Sequence, residues 1–277
     1  MQNIPYPPPR PLSVGEVLDL SFRIYRASVI SCLLFAALGV IMNQLPKLYA
    51  VGGGATVMES VMRPTPGLAY SSLALAGALL GLLFNGAVVL RQYHIVSGQP
   101  AGGELAASAR RVPGMLLLLL LIILMVVVGV MIVAPAFLFG GTTRILAGIL
   151  LCLPLLYGLV AISCSFTAML VAPMGAAGAF ARSWRLTSGN FWRLVLIFSV
   201  GGVILLVLYL LTSGVAGVIL GIFGRGDVAV ITATLAVVIV AVGALAIPFY
   251  TALGLAVFGD LTARKEGTDL AQRIAAT

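Results

Sequence analysis

From Met115 to Phe139 the chain reads MLLLLLLIILMVVVGVMIVAPAFLF, without one ionisable side chain. About 17–25 mainly apolar residues cross the hydrocarbon of a bilayer as a helix, at a rise of about 1.5 Å per residue. The run meets that length, and it lacks the period-two alternation of a barrel strand. Five further stretches repeat the pattern: Ala27–Leu45, Leu68–Leu90, Ile145–Val171, Leu194–Leu220 and Val228–Phe258. Pro135, Pro154 and Pro248 fall inside the runs and mark expected kinks. Across the chain of 277 residues 61% are apolar and 9% charged, against about 25% charged in soluble domains. In water such a chain would expose a continuous apolar surface. The expected fold class is therefore all-α: a polytopic integral membrane helix bundle with six transmembrane helices, one transmembrane domain over residues 1–277.

The connecting segments set the orientation. With six spans both termini share a side. That side carries Arg10, Arg23, Arg26, Arg91, Arg110, Arg111, Arg182, Arg185, Arg193, Arg264, Lys265 and Arg273; Lys47, Arg63, Arg144 and Arg225 fall on the other. The division of the 16 basic residues is 12 to 4, and the positive-inside rule makes the richer side cytoplasmic. The net charge of +8 thus reads as a topology signal, with membrane lipids and not nucleic acid as the partner. Residues 1–11 form a Pro-rich cytoplasmic tail without the layout of a cleaved signal peptide, and residues 259–277 form a second cytoplasmic tail. Cys32, Cys152 and Cys164 all lie in apolar runs and make neither a disulfide framework nor a metal-ligand spacing.

Three Arg-rich amphipathic stretches, at 12–26, 103–112 and 179–192, each lead into a pair of spans. The expected layout is three transmembrane hairpins, each preceded by a cytoplasmic interfacial amphipathic helix. In the first stretch Ser13 and Glu16 fit a capping box, and Asp19 and Arg23 stand at i and i+4. Val17, Leu18, Phe22 and Tyr25 supply its apolar face. The interface to lipid or a partner protein is assigned to Arg23, Arg26, Arg110, Arg111, Arg182, Trp184, Arg185, Trp192 and Arg193, because Arg and Trp suit phospholipid headgroups and acidic segments. A latch between the chain ends is expected to involve Glu16, Asp19, Asp260, Arg264 and Asp269, with Arg23 or Arg26 reaching Asp260; Asp260 and Arg264 also stand at i and i+4. Gly267 is the expected end of a helix, with Thr268 capping the next.

No Asp, Glu, Lys, Arg or His lies well inside any of the six runs. Membrane enzymes and ion-coupled transporters depend on such groups at depth. The single histidine, His94, follows Arg91 with no carboxylate near it in sequence, and reads as an interface residue. Lipase, zincin, Walker and Rossmann motifs are all missing. Ser163, Ser165 and Thr167 form the densest neutral polar cluster. They are the candidate polar path, set against the commoner role of bonding to backbone and neighbouring helices. Gly77/Gly81 and Gly217/Gly221 have the spacing of close helix contacts, within the chain or between copies. The expected function is a non-enzymatic inner-membrane scaffold or accessory protein, without cofactor or metal. It binds a partner protein or lipid through its basic face, with a homo-oligomer as one form of partner. The alternative is a transporter or channel for a small or lipid-like solute.

Three segments carry a resemblance. Arg10-Pro11-Leu12-Ser13-Val14-Gly15-Glu16-Val17-Leu18-Asp19, followed by Phe22 and Tyr25-Arg26, resembles the opening of the bacterial glycerophosphoryl diester phosphodiesterase membrane-domain family. Ala181-Arg182-Ser183-Trp184-Arg185-Leu186-Thr187, with Phe191-Trp192, is similar to its middle signature. Asp260-Leu261-x-x-Arg264-x-Glu266-Gly267-x-Asp269-Leu270 is similar to its ending, with a departure at Phe258-Gly259, where aromatic residues are usual. The resemblance implies a bacterial inner-membrane protein. The phosphodiesterase chemistry of that family's name belongs to a fused soluble barrel for which this chain has no room, so no catalytic residue carries over.

Overall fold

A computed structural model describes residues 6–53, 67–134, 141–172, 174–223 and 228–275. Among the described residues eight helices run in chain order: α1 Val14–Gly52, α2 Leu68–Ser97, α3 Glu104–Val133, α4 Gly141–Ala161, α5 Ser165–Val171, α6 Ala176–Thr187, α7 Phe191–Phe223 and α8 Val228–Ala275. The structure is 88% helical, with no strand among the described residues. Among the described residues six segments are long and apolar enough to cross a membrane, the fourth of them, Cys152–Val171, running from α4 into α5. The protein is an all-α, multi-pass membrane protein. In α3 and α7 only 11% and 17% of the most apolar window is buried. Helices this apolar and this uncovered need hydrocarbon as their solvent.

Several expected boundaries are absent. The stretch 12–26 is not a separate helix, because α1 continues from Val14 through Arg26 and Ala27 to Gly52. Nothing between Arg26 and Ala27 breaks a helix, and extending one is far easier than nucleating another. For the same reason 103–112 is the first part of α3, which runs on through Pro113. Pro46, just past the expected end of the first span at Leu45, lies inside α1. Each such proline removes one helical hydrogen bond, a loss that membrane helices absorb through neighbours and local adjustment. Gly267 does not end a helix: α8 continues to Ala275, since one internal glycine costs only about 1 kcal/mol. The stretch 179–192 divides between α6 and the start of α7. Pro135 lies outside the described residues.

Contacts group the chain into two compact units, each built from separated segments. One comprises Ser21–Val112 with Ser199–Leu253; the other comprises Pro5–Leu20, Pro113–Phe198 and Gly254–Thr277. In the first, Cys32 and Ala36 of α1 pack on Val88 of α2, with Phe35 and Ile247 beside them. The spacing at Gly77 and Gly81 serves an intramolecular contact of α2 with α1. A Cβ at Gly77 would strike the Met42 carbonyl, and one at Gly81 would strike the Asn43 side chain. Gly217 and Gly221 instead face open space. Deeper toward the α2 end, Gln92 is fully buried. Its Nε2 donates to Ser28 Oγ at 3.2 Å and to the carbonyl of Pro248 at 2.7 Å, so one amide ties α1, α2 and the proline site of α8. In the second unit the buried side chains come from α1 (Val17, Leu20), α3 (Met115, Leu118), α5 (Ala168, Leu170), α6 (Ala179, Leu186), α7 (Leu194, Ile197) and α8 (Leu255, Leu261).

Candidate functional site

The polar centre of the second unit is Asp260 of α8, whose side chain is 1% exposed. Arg193, near the start of α7, places Nη1 at 2.5 Å from Oδ2, and Arg264 places Nε at 3.2 Å from the same oxygen. The other oxygen, Oδ1, accepts the backbone N–H of Leu12 at 2.7 Å. The carbonyl of Leu12 accepts from Arg193 Nη2 at 2.7 Å and from Arg264 Nη2. Both backbone polar groups of Leu12, a half-buried residue outside regular structure, are thus held by side chains, which is how backbone outside a helix or sheet is satisfied. Upstream, Tyr6 donates its hydroxyl to the Leu255 carbonyl at 3.1 Å. A Cβ at Gly259 would come within 2.7 Å of the Tyr6 ring and 3.2 Å of Pro8, so the glycine in the departing Phe258-Gly259 pair provides the seat for this N-terminal strap.

The strap then enters α1 through the expected capping box. Ser13 N donates to Glu16 Oε2 at 2.7 Å, and Glu16 N to Ser13 Oγ at 3.3 Å. Arg10 pairs with Glu16 at 2.5 Å on an open surface. The Asp260 carboxylate is therefore met by Arg193 and by Arg264, its i+4 neighbour, in place of the expected Arg23 or Arg26. Asp19, Arg23 and Arg26 are all exposed. The side chain of Asp269 lies outside the described residues.

A second polar junction fixes α6. The Ile162-Ser163-Cys164 stretch between α4 and α5 is not helical. Ser163 Oγ bonds back to Val160 O at 2.8 Å and Ser165 Oγ to Ile162 O at 2.5 Å, the local bonding by which serines compete with a helix. The break frees the Ala161 carbonyl. Ser183 Oγ donates to it at 2.8 Å, and Thr187 Oγ1 lies 3.1 Å away. Ser163, Ser165 and Thr167 therefore sit at a helix break, the last two of them buried. With Ser183 and Thr187 turned inward, Trp184 and Arg185 turn out, 42% of Trp184 being exposed. Trp184 packs edge-on to Tyr157 of α4 at 5.7 Å and stacks with Phe180. Tyr157 also touches Phe191, which meets Trp192 edge-on at 5.2 Å. Trp192 is 76% exposed.

Removing either hydroxyl at Ala161 leaves the other in place. Ser183→Ala and Thr187→Ala are each expected to cost under about 1 kcal/mol. The double variant should cost about 2–3 kcal/mol, more than the two singles together, because only then is a buried carbonyl unpaired. Unfolding in mixed micelles measures this, and strictly additive losses would show that the carbonyl is not shared.

The arginines assigned to one interface thus fall into three groups. Arg182 is bidentate on Glu266, with Nη2 at 2.8 and 3.0 Å from its two oxygens, and its guanidinium lies 5.3 Å from the Phe258 ring centroid. Arg182 and Arg193 are structural. Arg26, Arg110 and Arg185 are exposed and make no ion pair among the described residues. Arg111 is half-buried and Arg23 exposed, each with a polar or electrostatic partner.

The first unit holds a cluster that spacing does not disclose. Glu104, the first residue of α3, is buried. Its Oε1 lies 2.7 Å from Arg91 Nη1 and 3.6 Å from His94 Nδ1, and it accepts the Gly102 N–H at 3.0 Å. His94 therefore has a carboxylate beside it, contrary to the expectation from sequence. The signal was an acid just after Gly102-Gly103 and a base at the end of the preceding helix, which a tight Gly98–Gly103 connection brings together. Gly98, Gly102 and Gly103 all have positive φ. Among the described residues no three His, Cys, Asp or Glu side chains converge as metal ligands do. Comparison of the chain with family models, with curated proteins and with solved structures finds no match.

Proposed function

We propose that the protein is a non-enzymatic scaffold or accessory protein of the bacterial inner membrane, which holds lipid or a partner protein through a basic cytoplasmic face. The observation that carries the reading is the division of the arginines. Carboxylates take up Arg182 and Arg193 in holding the fold, whereas Arg26, Arg110 and Arg185 stay exposed. Cations without carboxylates suit headgroup phosphates and acidic segments. The bacterial setting rests on the resemblance of the three signature segments. In this structure those segments meet through Leu12, Arg182, Asp260, Arg264 and Glu266. Their shared residues thus have a structural use that requires no reaction.

The test is purification from native membranes with identification of retained proteins and lipids. A defined partner or lipid lost on combined charge reversal at Arg26, Arg110 and Arg185 is the expected result; retention independent of these side chains refutes the reading. Purified protein is expected to release no glycerol 3-phosphate from glycerophosphodiesters. Metal-dependent release abolished by His94→Ala would place chemistry at the Arg91–His94–Glu104 cluster instead.

Both termini are assigned to the cytoplasm by the division of basic residues. Single cysteines at Gly53 and Lys265, in a chain whose exposed Cys152 is replaced, are expected to react with impermeant maleimide from opposite sides. Reaction of both from outside intact cells overturns the orientation.

The second reading, a transporter or channel, draws on the break at 162–164, since broken membrane helices line solute sites in transporters. The freed Ala161 carbonyl is occupied by Ser183 and Thr187, which favours a structural break. Solute uptake by proteoliposomes that Ser163→Ala or Thr167→Ala alters would favour transport.

A further inference from the structure

We infer that the outer face of α6 together with the start of α7 is a docking surface for anionic phospholipid headgroups, with Arg185 as the phosphate ligand and Trp184 and Trp192 as its flanking anchors. The inference rests on the scaffold reading and names the ligand of one part of the basic face. Four observations converge on it. The rotation of α6 is set from below, because the Ser183 and Thr187 hydroxyls serve the Ala161 carbonyl at the helix break; Trp184 and Arg185 then have only the outside to face. The neighbouring cations are engaged by carboxylates, Arg182 by Glu266 and Arg193 by Asp260. This leaves Arg185 as the free positive charge of the surface among the described residues. The aromatic rings form one connected layer, from Phe180 and Trp184 through Tyr157 to Phe191 and Trp192. Finally, α7 continues from this layer as one of the six apolar segments, so the layer stands at the end of a span, where tryptophan is enriched.

The charge argues for an anionic lipid over an apolar partner. A hydrophobic protein interface would bury Arg185 without a counter-ion, a severe penalty. A headgroup phosphate accepts from the guanidinium fork while the indoles lie against the glycerol region. Beside Arg185 the outer face of α6 is formed by Ala177, Gly178 and Ala181, all exposed. Small side chains there let a headgroup approach the helix closely.

The chain has only 2 tryptophans, both in this surface, so its intrinsic indole fluorescence reports on this place alone. The experiment uses the full chain in bilayers of phosphatidylcholine with and without phosphatidylglycerol. The lipids are brominated either near the glycerol or near the chain ends. The expected result is stronger quenching by shallow bromine than by deep bromine, and a preference for brominated phosphatidylglycerol over the brominated choline lipid. Arg185→Gln should reduce that preference about fivefold, the factor corresponding to roughly 1 kcal/mol for one basic side chain at an anionic surface. Arg10→Gln, which removes a cation already paired with Glu16 on the open surface, should leave it unchanged and controls for general charge loss. Equal quenching by both lipids, an unchanged preference in Arg185→Gln, or emission quenched by aqueous iodide in place of lipid would each overturn the inference. If co-purification still shows a partner protein that shields the indoles, the scaffold reading survives and the lipid assignment fails. If headgroup selectivity is found but nothing is retained through Arg26 or Arg110, the surface stands and the broader reading fails.

Discussion

Replacing Asp260 with alanine is expected to lower stability by about 3–5 kcal/mol, the cost of removing one member of a buried ion pair and leaving the other uncompensated. The effect should be large because three groups lose their acceptor together. Arg193 and Arg264 lose a carboxylate, and the Leu12 N–H loses Oδ1. The side chains of Arg193 and Arg264 are 17% and 29% exposed, so water replaces the carboxylate only in part. The loss should spread to the N-terminal strap, whose Leu12 peptide is held only as long as the two guanidiniums are in place. Equilibrium unfolding in mixed micelles, followed by the indole emission of Trp184 and Trp192 in the same unit, gives the magnitude. Protease cleavage within residues 6–13 gives the release of the strap. Arg10→Ala removes a pair on the open surface and should change neither readout, because exposed pairs contribute little. If Asp260→Ala behaves like Arg10→Ala, the network is not a structural centre. Exchange of charges in Arg193→Asp with Asp260→Arg should recover part of the loss, whereas exchange between Arg26 and Asp260 should recover none.

The second large effect is expected at Glu104. Glu104→Ala should cost about 2–4 kcal/mol, at or below the usual range for a broken buried pair because Arg91 keeps access to water at 25% exposure. Its particular signature is local. Glu104 joins the end of α2 to the start of α3 through Arg91, and holds the connecting backbone through the Gly102 N–H. The three left-handed glycines of that connection have no side chains to hold it otherwise. Hydrogen exchange at residues 98–103 is therefore expected to quicken more than at α6, and Glu104→Gln should restore the Gly102 bond but not the ion pair. Uniform acceleration throughout the protein would show that Glu104 contributes only to global stability.

Much of the architecture was legible in the sequence because hydropathy is a local, additive property. A run such as Met115 to Val133 requires hydrocarbon around it whatever its neighbours are, and its length decides whether it crosses. The capping box at Ser13 and Glu16 and the Asp260–Arg264 pair were legible for the same reason: their partners lie within one turn, where helix geometry fixes the distance. Helix ends were less legible. Pro46, Pro113 and Gly267 are breakers in water, yet here they lie inside helices, since packing and the membrane change what an interruption costs.

Tertiary structure alone decided which charges meet across long stretches of the chain. With 8 acidic residues among 16 basic ones, each carboxylate has several candidate partners in sequence. Asp260 takes Arg193 from 67 residues away and not Arg23 or Arg26. Glu266 takes Arg182 across 84 residues. Glu104 gathers Arg91 and His94 because a glycine-rich turn folds back on itself. Only after these pairs are drawn does it emerge that Arg182 and Arg193 hold the fold while Arg185 faces outward. Which residues belong to a membrane helix follows from the transfer of each side chain out of water, a sum over neighbours in the chain. The partner of a buried charge follows from desolvation, which depends on every helix packed around it and so exists only once the chain has folded.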